Sequence, residues 1–343
     1  MPLAVEITSG KHRTWVGGLY FIPLCFGFTL MPGVAYLLPD WRWMQVAIAA
    51  PLILTAVFYF LLPESPRWLL VNGRVAEAEL MLRSAAKRNG RSLPDNVDFD
   101  AIVEELNSAT LKSGHNSSHS RETILNVFAC SHWKINHPRL LTRAVNLFFV
   151  WFTIGMVYYG VLLNISSYTG SKFVNNAISG AVEFPSTILC GLLIYWSRRS
   201  ALILSFVGAG LSLVSTAWLP EDGNWEWLRL TLVLFGKLCI TTSFCVIYVI
   251  TGEIYPTVIR SSGIASSSAA ARLGSIFGPY IGAIGKFDPS LKWLSDVIFG
   301  CFSLAAGFTS LLLPETKAKK LPETFEDAER LLPIGVNDSN GDK

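Results

Sequence analysis

Charge is scarce in this sequence. Of 343 residues only 15% are Asp, Glu, Lys or Arg, against about 25% in an ordinary soluble domain. That shortage excludes a soluble enzyme and a charge-rich disordered scaffold together. Histidine is as sparse, with 5 residues beside 6 cysteines. His115, His119, His132 and His137 share one polar segment, but no ordered scaffold or paired thiolates accompany them, so no metal centre is expected. Cys25, Cys190, Cys239, Cys245 and Cys301 lie in apolar runs and Cys130 in a polar one, an arrangement that fits small packing side chains and not a disulfide framework. Also absent is a Gly-rich nucleotide loop, so neither a cofactor nor catalytic residues are assigned and the chain is read as no enzyme. A formal charge of +3 is too small to suggest nucleic-acid binding. MPLAVEITSGKHRTW lacks the basic, apolar and small-residue regions of a secretory leader, which leaves insertion to the first apolar run.

What the chain has in quantity is hydrocarbon. Apolar residues make up 51%, with 21 Phe and 11 Trp, and mean hydropathy is +0.42. Eight stretches nearly free of charge are long enough to cross a bilayer core of about 30 Å: 16–38, 44–62, 144–165, 174–196, 201–219, 228–250, 261–284 and 293–313. With both termini placed inside, the inner segments hold 21 Lys and Arg and the outer connectors 5, the asymmetry expected of cytoplasmic loops. Trp41, Trp43, Trp218, Trp225, Trp227 and Trp293 then gather at the outer boundary, where amphipathic rings belong. The expectation is a multi-pass plasma-membrane protein whose environment is the lipid bilayer, with both termini cytoplasmic.

Between the second and third runs lies a polar segment, residues 63–143. VAEAELMLRSAAKRNG spaces its apolar residues for a helix and ends in Asn89-Gly90, a stop signal. FDAIVEELNSA predicts a second short amphipathic helix. Two phrases then recur. Pro63-Glu64 and Pro314-Glu315 each close an apolar run, and they stand 251 positions apart. Glu6 precedes Arg13 and Glu253 precedes Arg260 by the same seven residues. Such a repeat implies two halves of equal helix number with the pathway between them. The second half, ending at Pro314-Glu315, has six runs, whereas only two precede Pro63-Glu64. Four helices are therefore expected to be missing from the first half.

PESPRWLLVNGRVAEAE, VYYGVLLN, SGAVEFP, GKLCITTSFCVIYVITGEIYPTVIRSSG, ARLGSIFGPY and LPETKAKKLPETFEDAE together resemble the organic ion transporters of the major facilitator superfamily, which carry organic cations, anions and zwitterions such as carnitine. The phrases run from about residue 5 to residue 330 in family order. Sugar porters share PESPR, but the double glutamine of their substrate site has no counterpart in FFVWFTIGMVYYG. The resemblance implies an all-α membrane protein of eight transmembrane helices, the last two helices of an N-terminal half (1–62), a cytoplasmic loop with short amphipathic helices (63–143), a complete six-helix C-terminal half (144–313) and a cytoplasmic tail (314–343). It implies transport of a small organic ion by alternating access, a zwitterion or cation being favoured. The alternatives are a truncated, non-transporting partner or competitor of a complete transporter, and an organic anion exchanger or sugar porter. Energy is left to a substrate or coupled inorganic ion gradient, or to facilitated diffusion.

Glu183, Lys237 and Arg272 each fall near the middle of a run, where an ionisable side chain costs about 2.5–3.5 kcal/mol on insertion scales and so marks a cavity or a partner charge. The guanidinium of Arg272 offers a two-pronged fork for a carboxylate, and by resemblance this position separates cation carriers, which place an acid there, from anion and carnitine-type carriers. Glu183 would face an ammonium. The competing reading is an ion pair of Glu183 with Lys237 or Arg272 that only holds the half together. Trp151, Tyr158 and Tyr159 share one helix, with 151 and 158 on one face, and by resemblance Phe244 joins them as an aromatic surface for the substrate; packing is the competing role. By resemblance more than by spacing, Glu6, Arg13, Glu253 and Arg260 are expected to form inner-end ion pairs that close a cytoplasmic gate.

Overall fold

The computed structural model describes residues 22–61, 64, 66–71, 73–90, 101, 138–168, 170–220, 225–256, 259–288, 291–317, 322 and 328. Glu6, Arg13, the loop histidines, Cys130 and the second amphipathic helix except Ala101 lie outside them. By its contacts the chain divides into two compact units, one of residues 1–21 and 38–123, the other of residues 22–37 and 124–343.

The smaller unit contains α2 (Trp41–Leu61), α3 (Pro66–Val71) and α4 (Val75–Arg88). Leu69 and Leu70 of α3 and Ala78 of α4 are buried together, and Arg74 and Arg83 hold Glu77 and Glu79 on the exposed face of α4. The helix stops at Asn89, whose N–H returns to the Ala85 carbonyl at 3.1 Å. Gly90 follows with φ +67°, a left-handed conformation that glycine adopts without penalty.

The larger unit is a helical bundle. It contains α1 (Ile22–Leu37), α5 (Pro138–Asn164), α6 (Lys172–Ala181), α7 (Glu183–Trp196), α8 (Arg198–Ser215), α9 (Glu226–Ile254), α10 (Arg260–Gly282), α11 (Ile284–Phe287) and α12 (Lys292–Thr309). Among the described residues, five stretches are both long and apolar enough to cross a membrane: Arg139–Asn164, Lys172–Trp196, Arg198–Trp218, Glu226–Ile254 and Trp293–Leu312. Ile22–Leu37 is shorter, at 16 residues. Helix α10 has 23 residues, but its sequence, RSSGIASSSAAARLGSIFGPYIG, trades hydropathy for small side chains. Helices α5 and α9 run to 27 and 29 residues, beyond the predicted runs, because Arg139 and Arg143 at the start of α5 and Gly252, Glu253 and Ile254 at the end of α9 continue the helical ladder past the apolar stretch.

Helix α5 is the axis of the core. Leu147, Val150, Trp151, Ile154 and Val157 are fully buried, and α5 packs on α9, α10 and α12. Its contact with α10 is backbone on backbone. A Cβ on Gly274 would run into the carbonyl of Phe152, one on Gly278 into that of Met156, and one on Gly155 into that of Ala271. Small residues give this close approach, which is how helices associate where lipid supplies no hydrophobic drive between them. The outside of the bundle is apolar too: Tyr195, Trp218 and Phe308 stand 83%, 79% and 74% exposed. Water would penalise such a surface and hydrocarbon does not.

Candidate functional site

Pro185 shapes the site. It lacks the N–H that would bond the Ala181 carbonyl, so one ladder bond is missing at Val182, where α6 passes into α7 while the backbone stays helical at φ −62° and ψ −20°. The Ser186 and Thr187 hydroxyls donate back to the Glu183 carbonyl at 2.8 and 2.9 Å. The Glu183 carboxylate reaches two other helices. The Tyr158 hydroxyl of α5 donates to Oε1 at 2.7 Å, and Nζ of Lys237 on α9 lies 3.2 Å from the same oxygen. Lys237 donates further to the Ser179 carbonyl at 2.5 Å and to Ser179 Oγ at 2.7 Å. Its three ammonium protons thus meet three acceptors. Side-chain exposure is 0% for Lys237 and 5% for Glu183, so the pair is held in a low dielectric where neither charge is tolerable alone.

Aromatic rings adjoin this pair. Lys237 Nζ is 5.9 Å from the Tyr158 ring centre, Tyr158 lies 5.1 Å from Tyr159 and 5.7 Å from Phe244, and Trp151 lies 6.0 Å from Phe244 and 4.6 Å from Tyr248. Trp151 Nε1 donates to Thr251 at 3.0 Å, which satisfies the indole inside the core. Tyr248 was not among the predicted residues, although it follows Phe244 by one helical turn and that spacing is its signal.

Of the predicted charges, then, Glu183 and Lys237 meet and Arg272 does not join them. Arg272 is exposed on α10, on a face shared with Leu273, Ile276 and Tyr280, and among the described residues its guanidinium makes no hydrogen bond or ion pair. Of the four expected gate residues, Glu253 and Arg260 lie among the described residues and do not pair with each other. Glu253 bonds Arg198 of α8 at 3.2 Å and accepts from the Thr316 hydroxyl, while Arg260 Nε donates to the Tyr255 carbonyl at 3.3 Å. Seven residues of spacing span a turn and a helix start, and the chain reversal there leaves α8 nearer to Glu253.

Two polar clusters were missed. Glu315, second residue of the repeated Pro-Glu, accepts from the Ser197 hydroxyl and from the backbone N–H groups of Arg198, Arg199, Thr316 and Lys317, so it caps the start of α8 from across the bundle. Burial pushes its carboxyl up, but the Ser197 hydroxyl and the N–H groups of Lys317, Arg199 and Arg198 outweigh that and leave it below the usual carboxylate value. At the other end, Asp296 of α12 accepts from the Tyr168 hydroxyl, 2.9 Å to each oxygen, and from Thr216 at 3.1 Å. Burial and the neighbouring Asp296 carboxylate hold the Tyr168 hydroxyl well above its usual range. Asp296 is the fourth residue of its apolar run, and weighing only mid-run charges passes over it.

A buried ion pair set among apolar helices marks a candidate functional site, and the sequence as a whole points to a transporter. The sugar (and other) transporter family model matches residues 2–328. The chain belongs to this family of the major facilitator superfamily. Among its relatives, the organic cation transporter protein of Drosophila melanogaster is 38% identical over 328 residues, covering 95% of this chain and 58% of that one. The human organic cation/carnitine transporter 2 is 34% identical over 307 residues, covering 89% and 52%. The fold is that of the superfamily: the proton:xylose symporter XylE bound to 6-bromo-6-deoxy-D-glucose superposes with a TM-score of 0.64 at 22% identity, over 95% of this chain and 69% of that one. This member of the transporter family spans little more than half the length of the curated relatives it matches. Its family is one of multi-pass membrane transporters and not of enzymes.

Proposed function

We propose that this chain carries the substrate-binding half of an organic ion transporter that works by alternating access, with cations or ammonium-bearing zwitterions as substrates. The observation that carries the reading is the buried Glu183–Lys237 pair at the α6–α7 junction, flanked by Tyr158, Tyr159, Phe244 and Trp151. An incoming ammonium competes with Lys237 for the Glu183 carboxylate, and aromatic faces near the pair favour a cation electrostatically. The relatives named for organic cations and carnitine support this class. Arg272, with its guanidinium unpartnered among the described residues, supplies the fork for a substrate carboxylate, which makes a zwitterion the preferred cargo.

In this reading the chain has eight spans, both termini and residues 63–143 on the cytoplasmic side, and the plasma membrane as its place. The Arg198–Glu253 pair and the Glu315 cap hold together the inner helix ends of the second half, with Arg260 beside them and Glu6 and Arg13 as the counterparts in the first half, and these inner ends form the cytoplasmic gate that opens when the halves rock. A coupled inorganic ion can supply the energy.

Binding and liposome uptake of tetraethylammonium, of carnitine and of an organic anion test the substrate class. Glu183→Gln should weaken the two ammonium compounds about 30-fold to 1000-fold, the cost of one buried charge-assisted contact, and Arg272→Asp should weaken carnitine and the anion while sparing tetraethylammonium. Unchanged selectivity in both variants would reduce these residues to structural roles. Labelling of a cysteine at position 118 by an impermeant reagent in intact cells would overturn the topology.

A further inference from the structure

Helices α7 and α9 carry, besides the charged pair, three thiols that the transport reading does not use: Cys190, Cys239 and Cys245. We propose that Cys190 and Cys245 form a dithiol site for soft, two-coordinate metal ions, which fastens α7 to α9. The two helices run side by side in the same direction: Lys237 meets Glu183, and five residues on along α9, three along α7, the Thr242 hydroxyl donates to the Ser186 carbonyl at 3.4 Å. One more turn along each helix brings Cys190 level with Cys245. Both pack in the apolar core, Cys190 buried within it and Cys245 partly buried against it.

The chemistry selects the ligand. Thiolates favour soft ions, and among the described residues no group of three or more His, Cys, Asp and Glu is arranged to hold a metal, so the tetrahedral set that zinc requires is not offered. A mercuric ion needs only two thiolates in line. Each thiol gives up one proton, two sulfur–mercury bonds replace the two mercury–chloride bonds of mercuric chloride, two chlorides leave with the two protons, and the dithiolate complex is neutral. No net charge is left in the low-dielectric interior, so burial does not oppose the product. Mercuric chloride is itself uncharged and reaches the site through hydrocarbon. Cys25, whose Sγ lies 3.8 Å from the Thr187 hydroxyl, occupies the side of α7 toward α1 and serves as a control. The bridge lies inward of the Glu183–Lys237 pair on the same two helices, so within the transport reading it would arrest any cycle that separates them; metal binding itself does not depend on that reading.

The full chain, purified in detergent, is titrated with mercuric chloride and followed by mercury–thiolate absorbance and by maleimide labelling mapped to individual cysteines. The first equivalent should protect Cys190 and Cys245 together and leave the other four cysteines reactive. Cys190→Ala and Cys245→Ala should each weaken binding of that first ion by about 100-fold, because one arm of the chelate is gone, whereas Cys25→Ala and Cys301→Ala should not. Protection of any other cysteine by the first equivalent, or equal affinity in the Cys190 and Cys245 variants, overturns the proposal. The protection map of the unaltered chain needs no variant to fold.

Discussion

Lys237 Nζ and Glu183 Oε1 stand 3.2 Å apart with the ammonium wholly buried, and the same oxygen accepts from the Tyr158 hydroxyl. Removing one partner leaves the other charge without water or counter-ion, at a cost of about 3–5 kcal/mol. Lys237→Met and Glu183→Gln should therefore each lower the thermal stability of the purified chain, while the double variant recovers most of the loss. Additive losses in the double variant would show that the two side chains are not coupled.

The α5–α10 contact makes a sharper demand. Gly274→Ala places a methyl group against the Phe152 carbonyl, and backbone cannot yield as a flexible side chain can, so the helices must part at a cost of about 1–3 kcal/mol or more. Gly191→Ala, on α7 with nothing within 4 Å, is the matched control and should be neutral or slightly stabilising, since alanine favours helix. Thermal unfolding of the two variants side by side checks the difference.

Acid should remove the Glu315 cap. Its carboxyl titrates below the ordinary 4.5 when folded, so the stabilisation it gives is complete above the unfolded value and is lost as pH falls through the lower folded one. Glu315→Gln should cost about 1 kcal/mol near neutrality, as loss of a helix cap does, and the difference between the two proteins should begin to shrink below the ordinary value of 4.5 and vanish as pH falls through the lower folded one. A difference that persists unchanged in acid would mean that charge is not what the cap uses.

At the opposite end of the bundle, Tyr168 and Asp296 should act as a unit. A double-mutant cycle of Tyr168→Phe and Asp296→Asn should yield a coupling of about 1–2 kcal/mol. The raised Tyr168 hydroxyl should also stay protonated in alkali, so the phenolate absorbance that develops up to about pH 11 should be the same with and without Tyr168→Phe.

Much of this was legible in one dimension. The apolar runs, the Pro-Glu repeat and phrases such as GEIYPTVIRSSG were enough to state a major facilitator transporter, whereas the role of Pro185 beside Glu183 was not read from the sequence. The competing reading of Glu183 with Lys237 as an ion pair is the contact that forms, yet Arg272, grouped with them by mid-run position, does not join them and stands exposed on α10. Depth along a helix can be counted from sequence, but the direction in which a side chain points depends on which neighbours the helix packs against.

The same reason divides what each level decided. Hydropathy and local backbone chemistry are properties of contiguous residues, so the sequence by itself determined the helical class, the family and the site's helices. Partner choice is a property of three dimensions: Glu253 bonds Arg198, 55 positions away, in place of Arg260, and Glu315 caps a helix that begins 117 positions earlier. Only the tertiary structure decided these, because a buried charge settles on whichever donors the packed helices bring within hydrogen-bond reach, and no spacing along the chain encodes that distance.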